Sequence, residues 1–481
     1  MSLLSFFRIL FLLLSIVAAT FFFPVLVAVF CGEEDVIPSF AVPAGVVFVL
    51  TAVFCLADRA RKIPMTMRGG FILVALAWIS ASALGAAPLY LSGAFPSVAD
   101  AFFESVSGFT TTGVTASPSV EALPAAVNFW RCQTHWLGGM GIVGLTVAIF
   151  PLLGVGGFHL IKAETTGPEK SKFSPKITVM AKWLWVIYTV LTVLQVVLLC
   201  AAGMPFLDSV MHSFSTLGTG GFSSKDLGIM WYGSAAVEWI CIVFMFLASL
   251  NFSLYYKLIA NQIEDVRINT ELRAFALLCL IASAVIFVPL FASGMPLHDS
   301  IRHGIFQVLT TVSTTGFASA MYQHWPALAQ MVIVLLMFTG ACSGSTAGGI
   351  KIIRWAIMGK SLSCEVKRTL HPSGIYNVRV DGHPLKPEII NSVSAFVFLY
   401  FVMLAVTALV AAAAGNDIVT SCTASLTLVG NIGVGFGAVS PDCNYSFFPA
   451  WAKWWFSFAM LAGRLELYTV LLFFFPSFWK K

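Results

Sequence analysis

Apolar stretches long enough to cross a membrane recur along this chain. A helix spans the hydrocarbon layer with about 20 residues. The pattern predicts ten spans, at about 5–30, 38–57, 70–92, 125–153, 180–203, 232–257, 273–294, 325–350, 388–414 and 449–476. The polar residues between them fall into two kinds of connection. One kind is basic and has no apolar stretch. The other holds an apolar segment of half-span length, too short to cross, followed by glycine and threonine. Half-length apolar segments read as re-entrant.

Charge orients the spans. Of the 27 Lys and Arg residues, all but Arg131, Lys225, Arg302, Lys453 and Arg464 fall on one side if the ten spans alternate. They cluster at 58–69, 154–182, 257–273 and 351–387 and at the chain ends. Basic residues mark the cytoplasmic side, so both termini are expected there. The acidic turn Glu33-Glu34-Asp35 falls outside. The apolar stretch after Arg8 is too long for a signal-peptide core, lacks a small-x-small cleavage site and reads as a retained helix.

The half-length segments form a fourfold repeat. Its copies are DAFFESVSGFTTTGVTA (100–116), DSVMHSFSTLGTGGFSS (208–224), DSIRHGIFQVLTTVSTTGFAS (299–319) and DIVTSCTASLTLVGNIGVGFGA (417–438). Each begins with an aspartate: Asp100, Asp208, Asp299 or Asp417. Each ends in glycine and an apolar residue: Gly113-Val114, Gly221-Phe222, Gly316-Phe317 and Gly435-Phe436. The Asp-to-Gly spacings are 13, 13, 17 and 18. The physical reading is a short helix capped by Asp, its negative dipole end at mid-depth. The chain then returns outward in extended form, with glycine leaving carbonyls free to face a common axis. Irregular backbone is tolerated at membrane depth where it lines a water-filled path. A ring of carbonyls can replace a cation's hydration shell. No ring of charged side chains sits at the glycines.

Composition agrees. The chain has 481 residues, 58% hydrophobic and 10% charged, against about 25% charged in soluble domains. The expected fold is an all-α integral membrane protein with four helix–pore-loop–helix repeats around one pore. The expected division is an N-terminal two-helix extension, 1–68, and repeats at 69–156, 157–258, 259–360 and 361–481. The ten cysteines form no CxxC pair and read as apolar fillers. No basic run is interleaved with aromatics, which excludes nucleic acid as a partner. No catalytic carboxylate pair, P-loop or metal-ligand spacing points to an enzyme. The absence of a regularly spaced arginine helix disfavours voltage gating.

With one glycine per pore loop, repeated four times, the sequence resembles the Trk/Ktr/HKT superfamily of cation transporters. STTGFAS and GNIGVGFG bring it nearest to the bacterial TrkH-type potassium-uptake subunit, although that family often has proline where Val434 stands. The resemblance implies a potassium-permeable pore whose filter carbonyls come from Thr111, Thr112 and Gly113, Thr219, Gly220 and Gly221, Thr314, Thr315 and Gly316, and Gly433, Val434 and Gly435. Serine at the first filter position is associated with sodium preference in the superfamily, so Gly113 favours potassium. Also implied are a homodimer in the bacterial inner membrane and a cytosolic TrkA-type ring that binds a nucleotide, ATP/ADP or NAD. No cofactor is expected in this chain, and potassium is its substrate.

Two further segments are candidates for a gate. TGACSGSTAGGIK, 339–351, places Gly340, Gly344, Ser345, Gly348 and Gly349 where a helix would otherwise run, and glycine is a poor helix former. It reads as a flap under the filter, or as a kink for close helix packing. Arg464 lies in the last span, where an arginine is costly. The resemblance makes it a barrier acting with the loop; the alternative is an arginine tying helices together through backbone carbonyls. Glu104 reads as a brace for the filter. His135 and Trp136 read as packing residues, and Lys453 as snorkelling outward without a role. GMGIVG at 139–144 fits a dinucleotide pattern but follows no strand. The basic loops 154–182 and 351–387 read as topology signals, and by resemblance as docking surfaces for the ring. The rival functions are a potassium symporter coupled to protons or sodium and a secondary transporter for an organic solute.

Overall fold

The computed structural model describes residues 3–58, 67–141, 177–471, 473 and 475–479. The basic segments at 59–66 and 142–176, most of the 154–182 loop and residues 142–144 of GMGIVG lie outside the described residues. The architecture is helical, with one two-residue-per-strand hairpin, Arg379–Val380 paired with His383–Pro384.

The N-terminal extension consists of Leu3–Thr20, Phe22–Cys31 and Ile37–Ala57. The break at Phe21 precedes Pro24, whose ring is incompatible with the carbonyl four residues earlier. The extension is tied to the first repeat by Glu33, whose two carboxylate oxygens accept from the Ala125 and Ala126 amides at 2.7 and 3.0 Å.

Each repeat then follows one plan. The first helices are Met67–Leu91, Ile177–Ala201, Thr270–Ala292 and Pro387–Ala413. They are long and apolar, and they expose residues such as Val190, Val197, Leu280, Val288, Phe398 and Leu409. The pore helices are Val98–Phe109, Phe206–Leu217, Leu297–Val312 and Ile418–Gly430. They bury serine, threonine and histidine instead. Polar inside and apolar outside is the arrangement a lipid solvent selects.

Two expectations are corrected. Asp417 alone caps a pore helix, accepting from the Val419 and Thr420 amides. Ser97 caps the first, and Pro205 and Pro296 precede the second and third. Asp100, Asp208 and Asp299 therefore sit inside the first turn, where they still complement the positive end of the dipole. Secondly, no repeat has a continuous second span among the described residues. These helices cover Ala125–Gly139, Ala235–Ser249, Ala327–Leu336 and Ala450–Arg464. The second bends by 86° into Phe252–Ile259. The third gives way to an irregular segment. The fourth breaks at Glu466 and Leu467, both at positive φ. Among the described residues, six helices, or seven with the bent pair joined, are long and apolar enough to span by length and composition alone; the other expected crossings are broken helices or run into residues outside those described. Apolar length alone does not distinguish a straight crossing from a helix stopped at mid-depth.

Candidate functional site

Each pore helix ends in the same way. Thr111, Thr219, Thr314 and Asn431 all adopt the left-handed conformation, at φ 54°, 52°, 57° and 55°. The next residue's amide turns back to the carbonyl five positions earlier: Thr112 to Ser107, Gly220 to Ser215, Thr315 to Thr310, and Ile432 to Thr427, at 2.8–2.9 Å. This is the Schellman closure, which usually employs glycine. A β-branched residue in that region is an outlier, and such strain is of order 1–3 kcal/mol per residue. Three of these four positions are threonine.

Two residues after each of these comes a glycine at positive φ: Gly113, Gly221, Gly316 and Gly433. A methyl group on Gly113 would strike the Gly220 carbonyl oxygen. One on Gly221 would strike that of Thr315, one on Gly316 that of Ile432, and one on Gly433 that of Thr112. The contacts run from the first strand to the second, third and fourth, and back to the first. The four strands therefore form a closed ring. Among the described residues, no hydrogen bond reaches the carbonyl oxygens of 111–113, 219–221, 314–316 or 431–433. Water or a cation is the natural partner for such groups.

The fourth strand differs from its sequence reading. The resemblance implies Gly433, Val434 and Gly435 as the triplet, but the ring triplet is Asn431, Ile432 and Gly433. Gly435 has no positive φ, and its methyl position faces the Thr423 side chain. Its carbonyl accepts from the Tyr322 hydroxyl at 2.6 Å. Gly435-Phe436 matches the Gly-Phe pairs of repeats two and three in sequence but not in place. The legible signal was a Thr or Asn two places before the glycine. Asn431 also bridges strands, donating to Thr112 Oγ1 at 2.8 Å and to the Met460 carbonyl at 3.2 Å.

Buried groups brace the ring from behind. Glu104 accepts from the Ala116 amide at 2.7 Å, from Thr115 Oγ1 at 3.0 Å and from Arg131 Nε at 2.6 Å. The expected brace is therefore a carboxylate holding the outgoing strand. Removing one member of a buried ion pair costs about 3–5 kcal/mol. Glu104→Ala is expected to lower the thermal midpoint of the detergent-solubilised protein clearly; Glu104→Gln, which keeps one acceptor oxygen, should lower it less. His135 stacks on Phe222 with ring centroids 4.2 Å apart, and it fills the space a side chain at Gly220 would need. Lys453, expected to snorkel, is instead buried and donates to Asp100 at 2.6 Å and to the Ser446 carbonyl at 2.9 Å. Apolar neighbours hid this pair, whose members lie 353 residues apart.

Segment 337–351 packs against the ring. Its neck is closed by Gly340 N to the Ile350 carbonyl at 2.8 Å and by Ile352 N to the Ala341 carbonyl at 3.2 Å. Gly348 N donates to Thr314 Oγ1 at 2.8 Å, and a methyl on Gly348 would come within 2.6 Å of the Gly430 carbonyl. The loop thus touches the third ring strand at Thr314 and the fourth at the end of its pore helix, Gly430 and Asn431. Gly344 O accepts from Phe252 N at 3.1 Å, Gly349 lies at positive φ, and Ser345 Oγ folds back on the Cys342 carbonyl. Arg464 donates to the Thr346 carbonyl at 2.6 Å and to those of Gly138 and Gly139 at 2.9 and 3.2 Å. It joins the loop to the end of the first repeat's second helix. Both sequence readings of Arg464 meet here: it ties elements through backbone carbonyls, and one of those elements is the loop.

Comparison with known proteins places this geometry. The family model for TrkH, described as a cation transport protein, matches residues 37–481. The chain belongs to the TrkH cation transport protein family. The Trk system potassium uptake protein TrkH of Halomonas elongata is 37% identical over 492 residues, covering all of both chains. That of Escherichia coli K12 is 35% identical over 88% of each. The crystal structure of the potassium transporter TrkH from Vibrio parahaemolyticus superposes with a TM-score of 0.89 at 32% identity, over the whole of both chains. The family relationship bears out the reading of a multi-pass, all-α membrane transporter, and not an enzyme.

Proposed function

We propose that this chain is the potassium-translocating subunit of a Trk-type uptake system. It conducts dehydrated potassium through the ring formed by Thr111–Gly113, Thr219–Gly221, Thr314–Gly316 and Asn431–Gly433. The closed ring of unpaired carbonyls is the observation that carries this reading, because such a ring favours a bare monovalent cation over an organic solute. The names of the relatives supply potassium. The 337–351 loop and Arg464 act as the gate, since Gly348 of the loop touches the starts of two ring strands and Arg464 holds the loop through Thr346. An N-terminal extension, 1–68, and the four pore repeats make up the chain, with both termini in the cytoplasm and the inner membrane as its location. A homodimer and a cytosolic nucleotide-binding ring of the TrkA type complete the system.

The test is flux through the purified chain in liposomes. Potassium should exchange faster than sodium, and the reversal potential should follow the potassium gradient alone. A reversal potential that tracks the proton or sodium gradient would favour a coupled symporter. Uptake of an organic solute without potassium current would overturn the assignment.

A further inference from the structure

The loop is held from its other side by groups that have no part in the filter. Glu271, in the first turn of Thr270–Ala292, is buried at 6% exposure. Its Oε1 accepts from the Ser343 amide at 2.6 Å. The preceding residue is bound to the cytosolic hairpin. Thr270 N donates to Asp381 Oδ1 at 2.6 Å, and Asp381 N donates back to Thr270 Oγ1 at 3.1 Å. Asp381 and Gly382 are the two turn residues of that hairpin, both at positive φ.

The hairpin also grips the far end of the loop. Val378, Val380 and Leu385 pack with Ile353 and Ile357 of the Ile352–Leu370 helix, which begins where the loop ends. Lys360 Nζ donates to the Arg379 carbonyl at 2.8 Å. One hairpin thus reaches the loop by two routes. The first runs through Asp381, Thr270 and Glu271 to Ser343. The second runs through the apolar cluster to Ile353, next to the loop's end. A shift of the hairpin against Thr270–Ala292 must strain one route or the other, because packed elements do not deform continuously.

We propose that Asp381 and Glu271 are positioning residues that strap the loop shut, with the 379–384 hairpin as the handle. The inference rests on reading 337–351 as the gate. Neither carboxylate touches the ion path. What each supplies is an acceptor for a backbone amide, so an amide oxygen can substitute for it and an apolar side chain of similar size cannot.

The experiment uses the full chain in liposomes without any partner. Cys342, buried at 1% within the loop, is the native reporter: its labelling by a water-soluble maleimide is read by mass spectrometry. Glu271→Met and Asp381→Ala are compared with the conservative Glu271→Gln and Asp381→Asn. Correct folding is established by size-exclusion profile and thermal midpoint. The strap predicts that Glu271→Met and Asp381→Ala raise basal potassium flux and Cys342 labelling together, each at least about five-fold, with the potassium-to-sodium ratio unchanged and the conservative pair near wild type. Folded Glu271→Met and Asp381→Ala proteins with unchanged labelling would overturn the strap, and the gate reading would survive if Arg464→Ala still raised flux. Raised labelling without raised flux would overturn the gate reading and the strap's role in it.

Discussion

Arg464→Ala should conduct potassium in the absence of any cytosolic partner. The guanidinium holds the loop through the Thr346 carbonyl and anchors it to Gly138 and Gly139. A hydrogen bond from a charged donor contributes about 1.5–3 kcal/mol. Loss of about 2 kcal/mol from the closed arrangement shifts the closed-to-open ratio roughly 30-fold. Removing a positive charge from beneath the ring also lowers the barrier to a cation. Both effects act in the same direction. The expected result in liposome flux is an increase of ten-fold or more, at unchanged potassium-to-sodium ratio. Arg464→Lys should fall between, because a single ammonium cannot fork across three carbonyls on two elements. Wild-type flux in a folded Arg464→Ala protein would remove the arginine from the gate.

Gly433→Ala should abolish selective conduction, whereas Gly435→Ala should leave selectivity in place. At Gly433 the backbone has φ 100°, and an added methyl lies 2.6 Å from the Thr112 carbonyl oxygen. Alanine there incurs about 1–3 kcal/mol of backbone strain and pushes directly on a ring carbonyl. The expected outcome is at least a ten-fold loss of potassium flux, with the potassium-to-sodium ratio falling towards one. At Gly435 the methyl meets the Thr423 side chain and Val439 at 3.0 Å, outside the ring. Its cost falls on packing and should appear as a lower thermal midpoint with an unchanged ion ratio. The reverse pattern would restore the Gly433–Gly435 triplet as the filter strand.

The contrast also shows what was readable beforehand. Four re-entrant segments, their glycines and the interrupted 339–351 stretch were legible because lipid permits so little irregular backbone. Any glycine- and threonine-rich break between apolar runs stands out against that rule. The register of the fourth strand was less legible, because GNIGVGFG offers three glycines in alternation and the signal that separates Gly433 from Gly435, a Thr or Asn two places earlier, is carried by Asn431 alone. The breaks after Gly139, Ser249 and Arg464 were harder still. Met140, Leu250 and Leu465, which follow these helices directly, are apolar and carry no local stop signal. Glu271 and Asp381 carry no local motif. They lie 72 and 111 residues from the groups they hold, and only the folded chain brings them together.

Rubidium or caesium density along the line enclosed by Gly113, Gly221, Gly316 and Gly433 provides the most direct measurement. The protein is crystallised or imaged with and without the heavier ion, and a difference map is calculated. The account predicts peaks on that line, level with the carbonyls of 111–113, 219–221, 314–316 and 431–433. A map with ordered strands, no density on the line and ions bound elsewhere in the membrane region would contradict it.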